Sequence, residues 1–303
     1  MGEYSKSAII KYTRKSLGMT QEELSEGICD PVTLSRYESG QLDPSDDKFT
    51  ALMQKMGESG DVYLFPVECE SADLEKPMAN LTDAMEQRDW KLAKHLIHKI
   101  ESEYDFPLQY PENKQYMLRM KTILKYETQQ IDAEETLQEF EKAFSLTFKS
   151  CKPEQFPLNR VLRETEILVL YDIALFNDRT GNLQEAYQIY KRLCVYLQNK
   201  TNVFAPYSLI YLGFSNFLGL NGRFNESLEI CFFVVRKLYY KHQLKRFYNF
   251  YYNIGWLLMK MIENDLESKQ HLAKAKCYIW ISYQFCLRYP ENKDNAKIIE
   301  KLL

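Results

Sequence analysis

The sequence predicts an all-α protein of two domains. Apolar residues recur at spacings of three and four almost throughout, strand-like alternation is nearly absent, and 11 glycines and 10 prolines in 303 residues fall mostly where helical stretches end. The length leaves room for two or three domains with cores that need no covalent staples. Seven cysteines (Cys29, Cys69, Cys151, Cys194, Cys231, Cys277, Cys286) contain no C-x-x-C pair and read as buried or free thiols of a reducing compartment. Met1–Lys15 is polar, without the apolar core of a secretory signal, and no apolar run is long enough for a bilayer. The expectation is a cytoplasmic protein with no membrane partner.

Taken in order, the first helix is expected over Ser5–Leu17, with Gly18 as its stop. Gly18–Ser45, GMTQEELSEGICDPVTLSRYESGQLDPS, then reads as two short helices joined by a tight turn. Thr20 and Glu23 form a T-x-x-E capping box. Leu24 and Ile28, four apart, would share one face. Gly27 breaks the helix, Asp30 is a good N-cap, and Pro31 suits a first helical position because no N–H is needed there. Leu34 and Tyr37 form an inward stripe, and Gly40 supplies the stop. A fourth helix over Ser45–Met56 turns Phe49, Leu52 and Met53 inward and ends at Gly57. Residues 1–62 form a first domain and 63–77, with no periodicity, a linker. The second motif helix displays Val32, Thr33, Ser35 and Arg36, a short polar face held at a set angle. That is the helix-turn-helix arrangement for entering the major groove of double-stranded DNA.

The order T-Q-x-x-L, then S-R-x-E-x-G, resembles the lambda-repressor-like (XRE-type) helix-turn-helix family over about the first 60 residues. The resemblance implies that Gln21 meets a DNA phosphate and that Thr33 and Arg36 reach base edges. It also implies a buried ion pair between Arg14 and Glu38. Charge sets a condition on this reading. Residues 1–62 hold seven basic and eleven acidic side chains, a net charge of −4. Phosphate neutralisation supplies most non-specific DNA affinity, so Lys6, Lys11, Lys15 and Arg36 would have to cluster on one face. Two copies would have to act together, which makes a homodimer part of the expectation.

Beyond the linker the chain carries a faint internal repeat. Asp172–Tyr187 reads DIALFNDRTGNLQEAY and Leu212–Leu228 reads LGFSNFLGLNGRFNESL, with Gly181 over Gly222, Leu183 over Phe224 and Ala186 over Ser227. A third echo, EQRDWKLAKHLI, puts Trp90 in the aromatic place and Ala93 in the small one. Glycine permits a tight turn between antiparallel helices, the next large apolar residue plugs the pair, and the small residue lets the helices approach. This is similar to the tetratricopeptide repeat, though the period is about 41 where regular arrays have ~34. Residues 78–303 are therefore expected to form a tetratricopeptide-like helical repeat domain, with a plain helical bundle as the alternative.

Such a stack lines its inner face with the first helix of each pair. That face would carry Leu168, Tyr171, Leu175, Asp178 and Arg179, then Leu209, Leu212, Asn216, Gly219 and Leu220, and finally Asn249, Tyr252, Asn253 and Trp256. Asparagine is a poor helix-interior residue. Asn216, Asn249 and Asn253 are therefore candidates to clamp the backbone of an extended peptide, with Tyr171, Tyr252 and Trp256 as walls. Helix–helix packing is the other reading of these residues. The combination resembles the RNPP group, the Rgg- and PlcR-like peptide-pheromone receptors. It implies a homodimeric quorum-sensing transcription regulator whose repeat domain dimerises and takes a short signalling peptide. Asn216 and Asn253 would then hold the peptide backbone, and Arg163 or Arg179 a carboxylate. The alternative is a helical-repeat scaffold whose partner is a protein. His95 and His98 lack a ligand-like third group, and no G-x-S-x-G, P-loop or G-x-G-x-x-G occurs. Neither a metal, a cofactor nor an enzyme is expected.

Overall fold

The computed structural model describes residues 6–57, 74–103, 108, 110–158, 162–198, 205–240, 247–288 and 293–301, and among these no strand occurs. The chain divides into two compact units, Met1–Asn202 and Val203–Leu303. That division falls inside the stretch expected to form one repeat domain.

The first unit opens with α1 (Lys6–Ser16), α2 (Gln21–Ser25), α3 (Pro31–Ser39) and α4 (Asp46–Lys55). At the start of α2, Thr20 Oγ1 accepts from the Glu23 N–H at 3.1 Å and the Thr20 N–H returns to Glu23 Oε2 at 2.7 Å. A cap of this kind is worth about 1 kcal/mol. The helix is shorter than expected: it stops at Ser25, so Ile28 lies half-buried in the turn and not on the helix face that carries Leu24. Gly27, at φ +78°, has already taken the chain out of helical geometry. At α3, Asp30 caps the N-terminus, Pro31 takes the first position, and Gly40 at φ +73° ends it. Ile9, Ile10, Leu24, Leu34, Phe49, Leu52 and Met53 close the core, none more than 1% exposed.

Residues 58–73, most of the expected linker, lie outside the described residues. Its last part belongs to the next helix, because Leu74 is buried and α5 (Glu75–Glu86) begins directly after it. Pro77 is tolerated in the first turn of α5, where its missing N–H has no helical partner to lose. There follow α6 (Trp90–Glu103), α7 (Pro111–Glu127), α8 (Ala133–Thr147), α9 (Glu164–Arg179) and α10 (Leu183–Gln198). The second unit holds α11 (Ala205–Leu220), α12 (Phe224–Tyr240), α13 (Phe247–Glu263), α14 (Leu272–Arg288) and α15 (Lys293–Glu300).

The repeat is more regular in three dimensions than in sequence. Five helix pairs, α5–α6, α7–α8, α9–α10, α11–α12 and α13–α14, are each joined through one left-handed residue. These are Arg88, Gln129, Gly181, Gly222 and Asp265, at φ +58°, +57°, +85°, +76° and +55°. After each, an N–H reaches back five residues to close the first helix. The donor–acceptor pairs are Asp89 to Ala84, Gln130 to Lys125, Asn182 to Asn177, Arg223 to Leu218, and Leu266 to Met261, at 2.8–2.9 Å. This is the Schellman closure, which satisfies carbonyls that the helix end would leave unpaired. Inside each second helix a small residue is fully buried: Ala93, Thr136, Ala186, Ser227 and Ala275 are all 0% exposed. Within the first unit α7 also touches α9, and within the second α11 touches α13, so first helices stack on one another as in a repeat array.

Candidate DNA-reading helix and repeat faces

Helix α3 presents two faces. Leu34, Tyr37 and Glu38 are buried, whereas Ser35 and Arg36 are exposed and Val32 is 61% exposed. The helix is anchored from beneath by charge. Arg14 grips Glu38 through two bonds, Nε to Oε1 at 2.5 Å and Nη2 to Oε2 at 2.9 Å, and its Nη1 donates to the Met19 carbonyl at 2.6 Å. The ion pair that the sequence resemblance implied is therefore present, and it joins α1 to α3. Burial pushes the Glu38 carboxyl up, but hydrogen bonds from Arg14 and Gln21 outweigh it and hold the group below the usual glutamate range.

Two side chains placed by sequence on the DNA face have further duties. Gln21 donates one amide hydrogen to Glu38 Oε2 at 2.8 Å, extending the Arg14–Glu38 pair to the start of α2. Thr33, half-buried, gives its N–H to Asp30 Oδ1 at 2.8 Å and its hydroxyl to Asp30 Oδ2 at 2.6 Å. Of the four cations expected to cluster, Lys6 is spent within the domain, and so are Lys48 and Lys55 outside that set. Lys6 reaches the Pro44 carbonyl at 3.4 Å and lies over the Phe49 ring, tying α1 to the start of α4. Lys48 donates to the Ile28 carbonyl and Lys55 to the Glu26 carbonyl at 2.6 Å, closing the turn between α2 and α3. Lys15 and Arg36 are exposed, and Lys11 is half-buried near Glu38.

In the first unit Leu168, Tyr171, Leu175 and Asp178 are half-buried and Arg179 is exposed, so these five form the least buried stripe of α9. The Tyr171 ring meets Tyr190 edge-on at 6.2 Å. The Arg179 guanidinium lies over Tyr126 and Phe176, 5.2 and 4.8 Å from the ring centroids. Arg163 precedes α9, where its N–H donates to Glu166 at 2.9 Å and its guanidinium stands 3.7 Å from Glu112. Sequence reasoning missed the buried bond from Arg119 Nε on α7 to Asp172 Oδ2 on α9, at 2.6 Å. A signal existed, since Asp172 sits inside the apolar run EILVLYDIALF and a carboxylate there demands a partner. Burial pushes the Asp172 carboxyl up, opposed by Arg119.

The second unit brings two of the three asparagines together. Buried Asn253 on α13 donates to Oδ1 of exposed Asn216 on α11 at 2.5 Å, and to Ser215 Oγ at 3.3 Å. Behind them Ser227 Oγ donates to the Ser215 carbonyl at 2.7 Å, and Ser215 Oγ lies 3.0 Å from Cys231 Sγ. This polar seam crosses α11, α12 and α13. Asn249 is half-buried one turn away on α13. Tyr252 is not brought to the pair: it packs on Ile279, Cys286, Ala296 and Ile299 of α14 and α15. Trp256 instead covers Gly219, where an added Cβ would lie 2.9 Å from the indole ring.

Among the described residues no group of three His, Cys, Asp or Glu side chains could hold a metal ion. No described helix is long and apolar enough to cross a membrane.

Comparison with known proteins fits this geometry. Residues 10–62 match a helix-turn-helix family model. No curated protein matches the chain significantly. Among solved structures, the chain is similar to Bacillus thuringiensis PlcR in complex with the peptide PapR7 and DNA. The TM-score is 0.60 at 19% identity, covering 98% of this chain and 99% of that one. It is also similar to PlcR in its apo form, with TM-score 0.57 at 17% identity, covering 96% and 98%. ComR from S. thermophilus, in complex with DNA and its signalling peptide, aligns with TM-score 0.49 at 16% identity over 98% of each chain. The chain thus carries a helix-turn-helix domain at residues 10–62 within a fold similar, over nearly its whole length, to that of PlcR.

Proposed function

We propose that this protein is a sequence-specific DNA-binding transcription regulator of the cytoplasm, acting as a homodimer, whose helical repeats bind a short signalling peptide that controls DNA binding. The observation that carries the reading is the capped, exposed face of α3, held by Arg14 and Glu38 inside a matched helix-turn-helix domain. The whole-chain likeness to a PlcR structure solved with a peptide and DNA supports the pairing of the two activities. Arg36 contacts a base edge. Gln21, at the start of α2, meets a DNA phosphate, and Val32, Thr33 and Ser35 complete the surface that meets DNA. Asn216 and Asn253 present an amide pair, with the Asn216 N–H groups directed to a peptide carbonyl and Asn249 beside them. Tyr171, Tyr252, Arg163 and Arg179 are weaker members of the peptide set, since each already packs or pairs within its own unit.

Binding to promoter duplexes, followed by fluorescence anisotropy, tests the DNA half. Arg36→Ala should cost about five- to 150-fold in affinity, about 1–3 kcal/mol, without altering the circular dichroism spectrum. Undiminished binding by that variant removes Arg36 from the reading surface. Calorimetry with short apolar peptides tests the other half: saturable heat in the wild type that Asn253→Ala abolishes supports it, and flat titrations refute it.

A further inference from the structure

Helix α3 spends two of its hydroxyl groups on itself. The Thr33 hydroxyl donates to Asp30 Oδ2 at 2.6 Å, and the Ser39 hydroxyl donates to the Arg36 carbonyl at 3.1 Å, the two closing opposite ends of the helix. Ser35 is exposed but short, which leaves Val32 and Arg36 as the side chains of the outward face with reach beyond the helix surface. They stand four residues apart, one above the other on the same side, separated by about 6 Å of axial rise. Val32 is 61% exposed at the second position of α3, at the end of a recognition helix that meets base edges. Its β-branch restricts both methyl groups to few rotamers. A rigid apolar group in that place has one complement in the major groove, the C5 methyl of thymine. The planar fork of Arg36 has another, the O6 and N7 acceptors of guanine.

Resting on the DNA-binding reading above, we propose that Val32 and Arg36 set the half-site: Val32 selects a thymine through its methyl group and Arg36 a guanine, within about two base-pair steps of each other at ~3.4 Å per step. Asp30 is a positioning residue here, because its carboxylate takes the Thr33 hydroxyl out of base recognition and fixes the first turn from which Val32 projects.

The test uses the full-length protein and a randomised duplex library, from which bound sequences are selected and aligned. The expected half-site contains a thymine and a guanine at that separation. Replacing that thymine by deoxyuridine, which removes only the methyl, should weaken wild-type binding about fourfold and leave binding by Val32→Ala unchanged. Replacing the guanine by 7-deazaguanine should weaken the wild type and leave Arg36→Ala unaffected. Selected sites lacking the thymine, or an equal loss from deoxyuridine in wild type and Val32→Ala, overturn the proposal while leaving DNA binding intact. Enrichment of no sequence at all overturns the DNA-binding reading, and the half-site with it.

Discussion

At the scale of single residues, the helix-turn-helix domain depends on a buried charge pair. Arg14 and Glu38 are taken out of water together, and each satisfies the other in bidentate geometry. Glu38→Ala leaves the guanidinium buried without its counter-charge, and is expected to cost about 3–5 kcal/mol in a urea melt. The pair also sets a pH dependence. The folded-state pKa of Glu38 is lowered, so its stabilisation is complete above the unfolded value near 4.3 and is lost as the pH falls through the folded value. Urea midpoints of the wild type should therefore decline below about pH 4 with a component that Glu38→Gln lacks. A parallel decline in both proteins would show that other carboxylates dominate.

At the scale of elements, the turns between helices decide how the repeats are built. Gly181 and Gly222 occupy left-handed positions where glycine carries no Cβ penalty, and the sequence echo was visible because of them. Arg88, Gln129 and Asp265 adopt the same conformation at a cost of about 1–2 kcal/mol each. Only the first of these turns showed in the sequence, through Trp90 and Ala93. The other two were hidden because their connectors run longer before the next helix: Asp132 caps α8, and the 3-10 turn Lys269–His271 precedes α14. Gln129→Gly is expected to stabilise the protein by about 0.5–1 kcal/mol, the left-handed penalty less the entropy of a freer unfolded chain. Gly255 presents the opposite case. An added Cβ would stand 2.5 Å from Ile279 Cγ1 and 2.8 Å from the Ala275 carbonyl, so α13 and α14 touch there almost backbone to backbone. Gly255→Ala should cost about 1–3 kcal/mol in thermal unfolding. A neutral result would mean that α14 moves aside freely.

At the scale of the whole molecule, charge and copy number are linked. Lys6, Lys48 and Lys55 are held by backbone carbonyls and Arg14 by Glu38, which leaves Lys11, Lys15 and Arg36 as the other cations of the helix-turn-helix domain. With Arg36 assigned to a base edge, two phosphate-facing lysines per protomer give a log–log salt slope of about −3.6 for two protomers, and half that for one. Measured slopes, combined with small-angle scattering of the protein alone, distinguish a dimer on DNA from a monomer. A single-protomer mass together with the shallow slope would remove the homodimer from the proposal.

What the sequence determined by itself was whatever short-range chemistry specifies. Caps at Thr20 and Asp30, the proline at the first position of α3, the stop at Gly40 and the inward Leu34–Tyr37 stripe all act within one or two turns. Local hydrogen bonds and dihedral limits suffice for them. Tertiary structure decided the rest, because it depends on which distant groups arrive together. It paired Arg119 with Asp172 and Asn216 with Asn253, and turned Tyr252 toward α14 and α15. A buried polar atom takes the partner that the packed helices bring within about 3 Å, and no sequence spacing encodes that choice.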